Sequence, residues 1–249
     1  MALFTDEFLE ALGAWQNGWG EDQARKDILA LALTTEAASL PLRYRTVSEP
    51  CFRKRFIHKG EMVEILLDNS RDEGLASWTT DLRFAERMKG LVRTNAVAAA
   101  IFQHCPTDAN VIVNLTALWA DPAFTNSVQA YSDRGGRFAT ALLNFRDSQS
   151  EVVLQVPLRG SEIVALSGAS SPFDDLCDRA AIPEHDRDRV FKHLLETGSY
   201  PGDPQYIGAE ASQRVISRSI QKVYETVQSA LETSRGISSD DGSQQPPAA

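Results

Sequence analysis

Sulfur and imidazole are scarce in this chain: its 249 residues include three cysteines and four histidines. Cys51, Cys105 and Cys177 lie far apart and are odd in number, so neither a disulfide framework nor a C-x-x-C zinc site is written here. His104 and Cys105 are neighbours in sequence, but adjacent residues on a strand or helix point in different directions, which argues against a metal pair or a Cys/His nucleophile. No metal is implied. Long apolar runs are missing too: no stretch approaches the roughly eighteen residues that a membrane span needs. The start, Met1-Ala2-Leu3-Phe4-Thr5-Asp6, lacks a basic region followed by an apolar stretch. A cytoplasmic protein with no membrane partner is therefore expected, although export by a non-classical route or action inside a host cell is compatible with the same sequence. Positive charge is in deficit, with a formal net charge of -9, which excludes a protein whose whole surface tracks phosphate backbones. No G-x-G-x-x-G, P-loop, H-E-x-x-H or G-x-S-x-G motif occurs, and the enzyme classes that those motifs mark are set aside.

What is present is a globular composition, 43% hydrophobic and 24% charged, in a chain long enough to bury a full core without staples. Thr5 or Asp6 caps a first helix that runs out near Gly18 and Gly20, and an Ala/Leu/Glu-rich second helix extends from Glu21 to about Ser39. Both read as scaffold. From Leu42 the texture changes. Leu42 to Val47 and Glu61 to Leu67 carry strand formers, and between them Arg53-Lys54-Arg55-Phe56-Ile57-His58-Lys59-Gly60 reads as a solvated loop or edge strand, or as a seat for a diphosphate or nucleic acid. Thr79 or Thr80 caps a helix ending at Gly90, Ala96 to Ala100 favour helix, and Asn110 to Leu115 reads as a strand. Pro122 to Tyr131 contains another helix. Glu151 to Val156 is the clearest strand, and with Glu162 to Leu166 it predicts a hairpin.

Helices return from Phe173 to Ala181 and from Pro183 to Thr197, interrupted at Tyr200 to Pro204. A last one carries Ile216, Ile220, Val223, Val227 and Leu231 on one stripe, to pack on the body or on a partner. Strands interspersed irregularly with helices predict an α+β fold. One domain spans residues 1–235, with N-terminal helices over 1–40, a core over 41–168 and C-terminal helices over 169–235. Residues 236–249 have the composition of a disordered tail.

Three pieces remain that carry chemistry. Arg45 lies in the first expected strand, Ser77-Trp78-Thr79 precedes a helix, and Glu151 opens a later strand with Gln149 two residues before it. In that order they resemble the mono-ADP-ribosyltransferases of the arginine-serine-glutamate type, which show a strand arginine, a Ser-Thr-Ser-like strand and a glutamate in a (Gln or Glu)-x-Glu motif. The resemblance covers about residues 41–168. It implies a split β-sheet core with flanking helices, NAD as substrate, and a macromolecular acceptor, protein in the first instance, with nucleic acid left open.

It also implies roles. Glu151 and Gln149 would be catalytic, the first stabilising a sugar cation and the second facing the acceptor. Arg45 would hold a phosphate or ribose, Ser77 and Thr79 would support the pocket, and Trp78 or Phe84 would stack on nicotinamide or wall the site. The triplet departs from the family in reading Ser-Trp-Thr, and Thr46 stands where many members have glycine. Arg43 competes with Arg45, which is favoured because it follows Tyr44 as in the family's tyrosine-arginine pairing. Two other activities fit the same residues: an NAD glycohydrolase, or an inactive copy that binds a partner through the last helix.

Overall fold

Thr5 accepts a hydrogen bond from the Phe8 N–H and opens α1, Asp6–Asn17, while Asp22 accepts from the Arg25 N–H and opens α2, Gln23–Ala37. Both helices stand where the sequence places them. The structure, a computed structural model, describes residues 3–20, 22–89, 93, 96–146, 149–168, 171–200 and 205–239. Glu21 and Gly90, expected at a helix start and a helix end, lie outside these residues.

The next segment departs from expectation. Leu42–Tyr44 is a 3-10 turn, not a strand, closed by the Arg45 N–H on Leu42 O at 2.7 Å. Tyr44 decides this conformation, because its ring is buried at 1% exposure and its hydroxyl donates to Asp121 Oδ2 at 2.5 Å. The first strand instead is β1, Cys51–Ile57, made from the stretch whose charges suggest a solvated loop or an edge strand, and it lies inside the sheet between two later strands. Lys59–Met62 forms α3, with the Glu61 carboxylate accepting from the His58 N–H at 2.8 Å, and Val63–Leu67 continues as a π-helical turn. The strand expected over Glu61 to Leu67 is thus helical: the capping interaction at His58 overrides the β-branched composition.

β2 is Leu75–Thr79, and Asp81, not Thr79 or Thr80, caps the short α4, Leu82–Arg87, through the Phe84 N–H. Ala98–His104 forms β3, although its alanines favour helix, because this strand is buried between β1 and a later strand. Val111–Asn114 is β4, followed by α5 (Leu115–Trp119), α6 (Pro122–Asp133) and α7 (Ala139–Asn144). β5 is Glu151–Gln155 and β6 is Ile163–Gly168. Then come α8 (Ser171–Arg179), α9 (Glu184–Glu196), β7 (Gln205–Ile207) and α10 (Ala209–Ser239). Helix α10 takes in the first four residues of the expected tail, 236–239, and residues 240–249 of that tail lie outside those described.

The seven strands form one sheet in the order β4-β5-β2-β1-β3-β6-β7, antiparallel throughout. The fold is α+β. The expected β5–β6 hairpin is not made, since β5 lies between β2 and β4 while β6 pairs with β3 and β7. Residues 156–162 cross from one half of the sheet to the other, and a 3-10 turn over Gly160–Glu162 leads into β6.

The centre of the sheet is where it is thinnest. β1 pairs with β3 along its whole length but meets β2 only at Phe52↔Thr79, so two half-sheets diverge from one shared point. α1, α2, α5, α6 and α7 cover the outer face of β4-β5-β2 around Leu75, Val113 and Val153. A second core, with Ala76, Trp78, Val152, Phe102, Leu166 and Ile216, fills the space on the other face. Burial of these side chains drives the arrangement. Among the described residues, no helix is long and apolar enough to cross a membrane.

Candidate active site

Glu151 is the first residue of β5 and pairs with Thr79, while Ser77 pairs with Val153. Residues two apart on a strand share a face, so Glu151 and Ser77 are diagonal neighbours on the side covered by α1. Ser77 Oγ lies 2.5 Å from Glu151 Oε1, and Trp15 Nε1 of α1 donates to the same Ser77 oxygen at 3.2 Å. Gln16 Nε2 donates to the other carboxylate oxygen at 3.3 Å. The Glu151 side chain is buried at 8% exposure, and that burial pushes its pKa up, while the bonds from Ser77 and Gln16 pull it back towards the ionised form.

The segment entering Glu151 is held in an uncommon conformation. Ser150 has a φ of 45°, in the left-handed region where a residue with a Cβ is costly. It is held there by its neighbours: Thr80 N–H donates to Ser150 O at 3.1 Å, and Thr79 Oγ1 donates to Gln149 O at 2.6 Å. Thr79 Oγ1 also accepts from the Asp81 N–H at 3.0 Å. The Thr79 hydroxyl is therefore committed to the backbone and positions Gln149, a residue of the cleft lining. Ser148, next in the motif, lies outside the described residues.

A cleft of about 330 Å³ opens in front of Glu151 where β1 and β2 part. Trp19, Phe52 and Phe84 supply aromatic walls, and Arg53, Lys54 and Lys89 supply positive charge. Phe84 is half-buried and lines the cleft. Trp78 is 2% exposed, and its ring joins the opposite core with Ala76 and Val152, its centroid 6.0 Å from that of His104. Alternation along β2 turns its ring away from Ser77 and into the sheet's other core, while Trp78 itself remains among the residues that line the cleft.

The arginine is the principal correction. Arg45 follows the 3-10 turn and does not line the cleft, and Arg43 is spent on Tyr44 Oη at 2.7 Å. Arg53 on β1 does line it. Its Nη1 donates to Ser77 O at 2.7 Å and its Nε to Glu73 Oε2 at 2.9 Å. The guanidinium thus bridges the two half-sheets just beyond the point where the β1–β2 ladder stops. Burial lowers its pKa to about 10, so it remains a cation at neutral pH. Glu73 is nearly enclosed and also receives Arg55, which pairs with Glu61 at 2.9 Å. The basic stretch is therefore neutralised by carboxylates brought from later in the chain, and its Arg53 belongs to the cleft. Lys54, on the same face of β1 as Phe52, lines the cleft too; it donates to Glu86 O at 3.0 Å, and burial lowers its pKa to about 8.

Reasoning from sequence places α1 but misses its part in the cleft. Trp15, Gln16 and Trp19 reach the cleft, and the only signal for them is a pair of tryptophans at i, i+4 beside glycines. Their rings stand 5.0 Å apart. Gly13 allows the approach: a Cβ there would lie 2.7 Å from Phe138 Cβ, so α1 sits against the Phe138 backbone at the start of α7 only because that atom is absent. A wider groove of about 670 Å³ between α10 and β6 is open, and Arg214 there pairs with Glu210 at 2.5 Å. It brings no buried carboxylate against a hydroxyl. Among the described residues, no group of three or more His, Cys, Asp or Glu is placed to hold a metal ion. No protein-family model, curated protein or solved structure matches the chain.

Proposed function

We propose that the protein cleaves NAD at the nicotinamide-ribose bond and transfers ADP-ribose to a macromolecular acceptor, as a mono-ADP-ribosyltransferase. The observation that carries this reading is the Glu151 carboxylate, buried in a cleft and held at 2.5 Å by Ser77 Oγ. Breaking the bond between ribose C1′ and the ring nitrogen sends the electron pair to nicotinamide and leaves a cation on the sugar, as in glycoside hydrolysis. A fixed carboxylate at that charge interacts more strongly with the transition state than with the ground state. Arg53, in place of Arg45, is the arginine we assign to the diphosphate or its adjacent ribose, because its planar fork keeps its charge and offers paired donors. Trp19 and Phe84 are the walls we assign to the flat rings. Gln149, one residue from the strained Ser150, faces the acceptor.

The order of parts supports the resemblance better with Arg53 than with Arg45. The arginine then lies on the first strand, the serine on the second and the glutamate at the start of the fifth, and those three strands are neighbours. One observation favours a second reading, that of a partner-binding protein: Val223, Val227 and Leu231 of α10 are exposed at 44%, 52% and 53%. Titration of the purified protein with NAD, followed by tryptophan fluorescence, separates the two. Saturable quenching, reporting on Trp15 and Trp19, supports the NAD site, and a flat titration contradicts it.

A further inference from the structure

The last turn of α1 brings a carboxamide to Glu151 that no catalytic motif announces. Three contacts fix that turn. Gly13 seats the helix against Phe138, Trp15 Nε1 donates to Ser77 Oγ at 3.2 Å, and the Gly18 N–H returns to Trp15 O at 3.0 Å. Gly18 adopts a φ of 82°, so the chain leaves the helix sharply and Trp19 turns over the cleft. Gln16 is thus held by a docked helix end. Its Nε2 donates to Glu151 Oε2 at 3.3 Å, while Ser77 occupies Oε1.

The other end of the same amide is the informative one. Gln16 Oε1 is buried and has no hydrogen-bond partner in the protein. A buried acceptor left unpaired is costly, and such a group at a cleft marks a place where a ligand donor completes the bonding. A carboxylate cannot supply a proton donor while ionised, and Nε2 is already turned towards Glu151. The partner for Oε1 must therefore bring its own O–H or N–H.

We propose that Gln16 is part of the NAD site, its Nε2 holding Glu151 and its Oε1 accepting a ribose hydroxyl of the bound dinucleotide. This rests on the reading of the cleft as an NAD site. Gln16 then links carboxylate and sugar, so that the ligand's own hydroxyl fixes the amide whose other end orients Glu151. The N-terminal helix becomes a working part of the site and not scaffold alone.

The test compares wild type with Gln16→Met, which keeps the length of the side chain and removes both polar ends. Nicotinamide release from NAD is followed across pH, with circular dichroism and thermal midpoints as controls of folding. The expected result is a native-like fold, release about tenfold slower or worse, a raised KM for NAD, and an acid limb moved to higher pH. The limb moves because the carboxylate loses a bond that favours its ionised form. A merely structural role would change the midpoint and leave the limb in place.

Wild-type rate and wild-type limb in Gln16→Met would overturn the proposal while leaving the NAD reading intact. No release by wild type itself would overturn both, and that outcome is recognised without the variant. If Gln16→Met loses the fold, Gln16→Asn serves: still polar but one methylene short of Glu151, it should show the same slowing and the same shift of the limb. Equality with wild type again refutes the assignment.

Discussion

Ser77 Oγ stands 2.5 Å from Glu151 Oε1, across a ladder in which neither residue is the other's direct partner. The diagonal placement lets the hydroxyl reach the carboxylate from the same face while both backbones keep their sheet hydrogen bonds. Burial alone would favour the protonated acid, and the serine opposes it. If catalysis needs the carboxylate, activity rises with pH through the Glu151 pKa. Ser77→Ala should move that acid limb to higher pH and slow nicotinamide release at neutral pH by roughly ten- to a hundredfold, the loss of one hydrogen bond to a charged group. Initial rates across pH check both effects.

The same burial makes Glu151 a cost to the fold. Its folded pKa is raised above the unfolded value, so the folded state binds the proton more tightly. The stability linked to that proton is complete below the unfolded pKa and is lost as pH rises through the folded one. Glu151→Gln removes this dependence. The neutral amide accepts from Ser77 Oγ and, with the Gln16 amide turned over, donates to the otherwise unpartnered Gln16 Oε1. Thermal midpoints should show the variant more stable than wild type at neutral pH, with the difference shrinking as pH falls.

Arg53 and Arg45 are separated by a conservative pair of substitutions. Arg53→Lys keeps the charge but cannot donate to both Ser77 O and Glu73, so it should weaken NAD binding about tenfold or more and destabilise the fold by about 1–3 kcal/mol. Arg45→Lys should leave affinity for NAD at the wild-type value. Fluorescence titration with NAD and urea unfolding of both variants measure these effects, and equal losses in affinity would show that the arginine has been misassigned.

Gly13→Ala tests the seating of the first helix. The added Cβ would lie 2.7 Å from Phe138 Cβ and 2.9 Å from Phe138 O, contacts that only a shift of α1 can relieve. Overpacking of this kind costs about 1–3 kcal/mol. Urea unfolding should register that loss. Nicotinamide release should fall with it, since Trp15 and Gln16 move with the helix.

The helices were legible from the sequence because caps and apolar stripes are local: Thr5 starts α1, the Ala/Leu/Glu-rich run after Glu21 contains α2, and Ile216 seats α10 as its spacing suggests. Ser77, Glu151 and Gln149 were legible as a motif, and the fold brings them together. What failed depended on partners distant in sequence. Cys51–Ile57 reads from sequence as a solvated loop or edge strand, and its place inside the sheet is hidden because Glu73 and Glu61, which neutralise Arg53 and Arg55, come later in the chain. Ala98 to Ala100 favoured helix locally and became a strand because β1 and β6 enclose it on both sides. Arg45 was misplaced for a related reason. The Tyr44 ring finds its burial with Phe4 and its hydroxyl finds Asp121, and neither contact has a signature near residue 44. Trp15 and Gln16 were hidden because a helix reveals which residues share its face and not what that face will meet.

The central claim is that Glu151 stabilises the cation formed when NAD loses nicotinamide. It is tested most directly by measuring nicotinamide release with wild type and Glu151→Gln side by side, with cell lysate supplying acceptors and NAD binding followed in parallel. The account predicts release by wild type and a loss of about a hundredfold or more in the variant, with NAD binding largely retained, because the interaction removed is one made mainly in the transition state. Equal release by both proteins, or none by wild type with acceptors present, would contradict it.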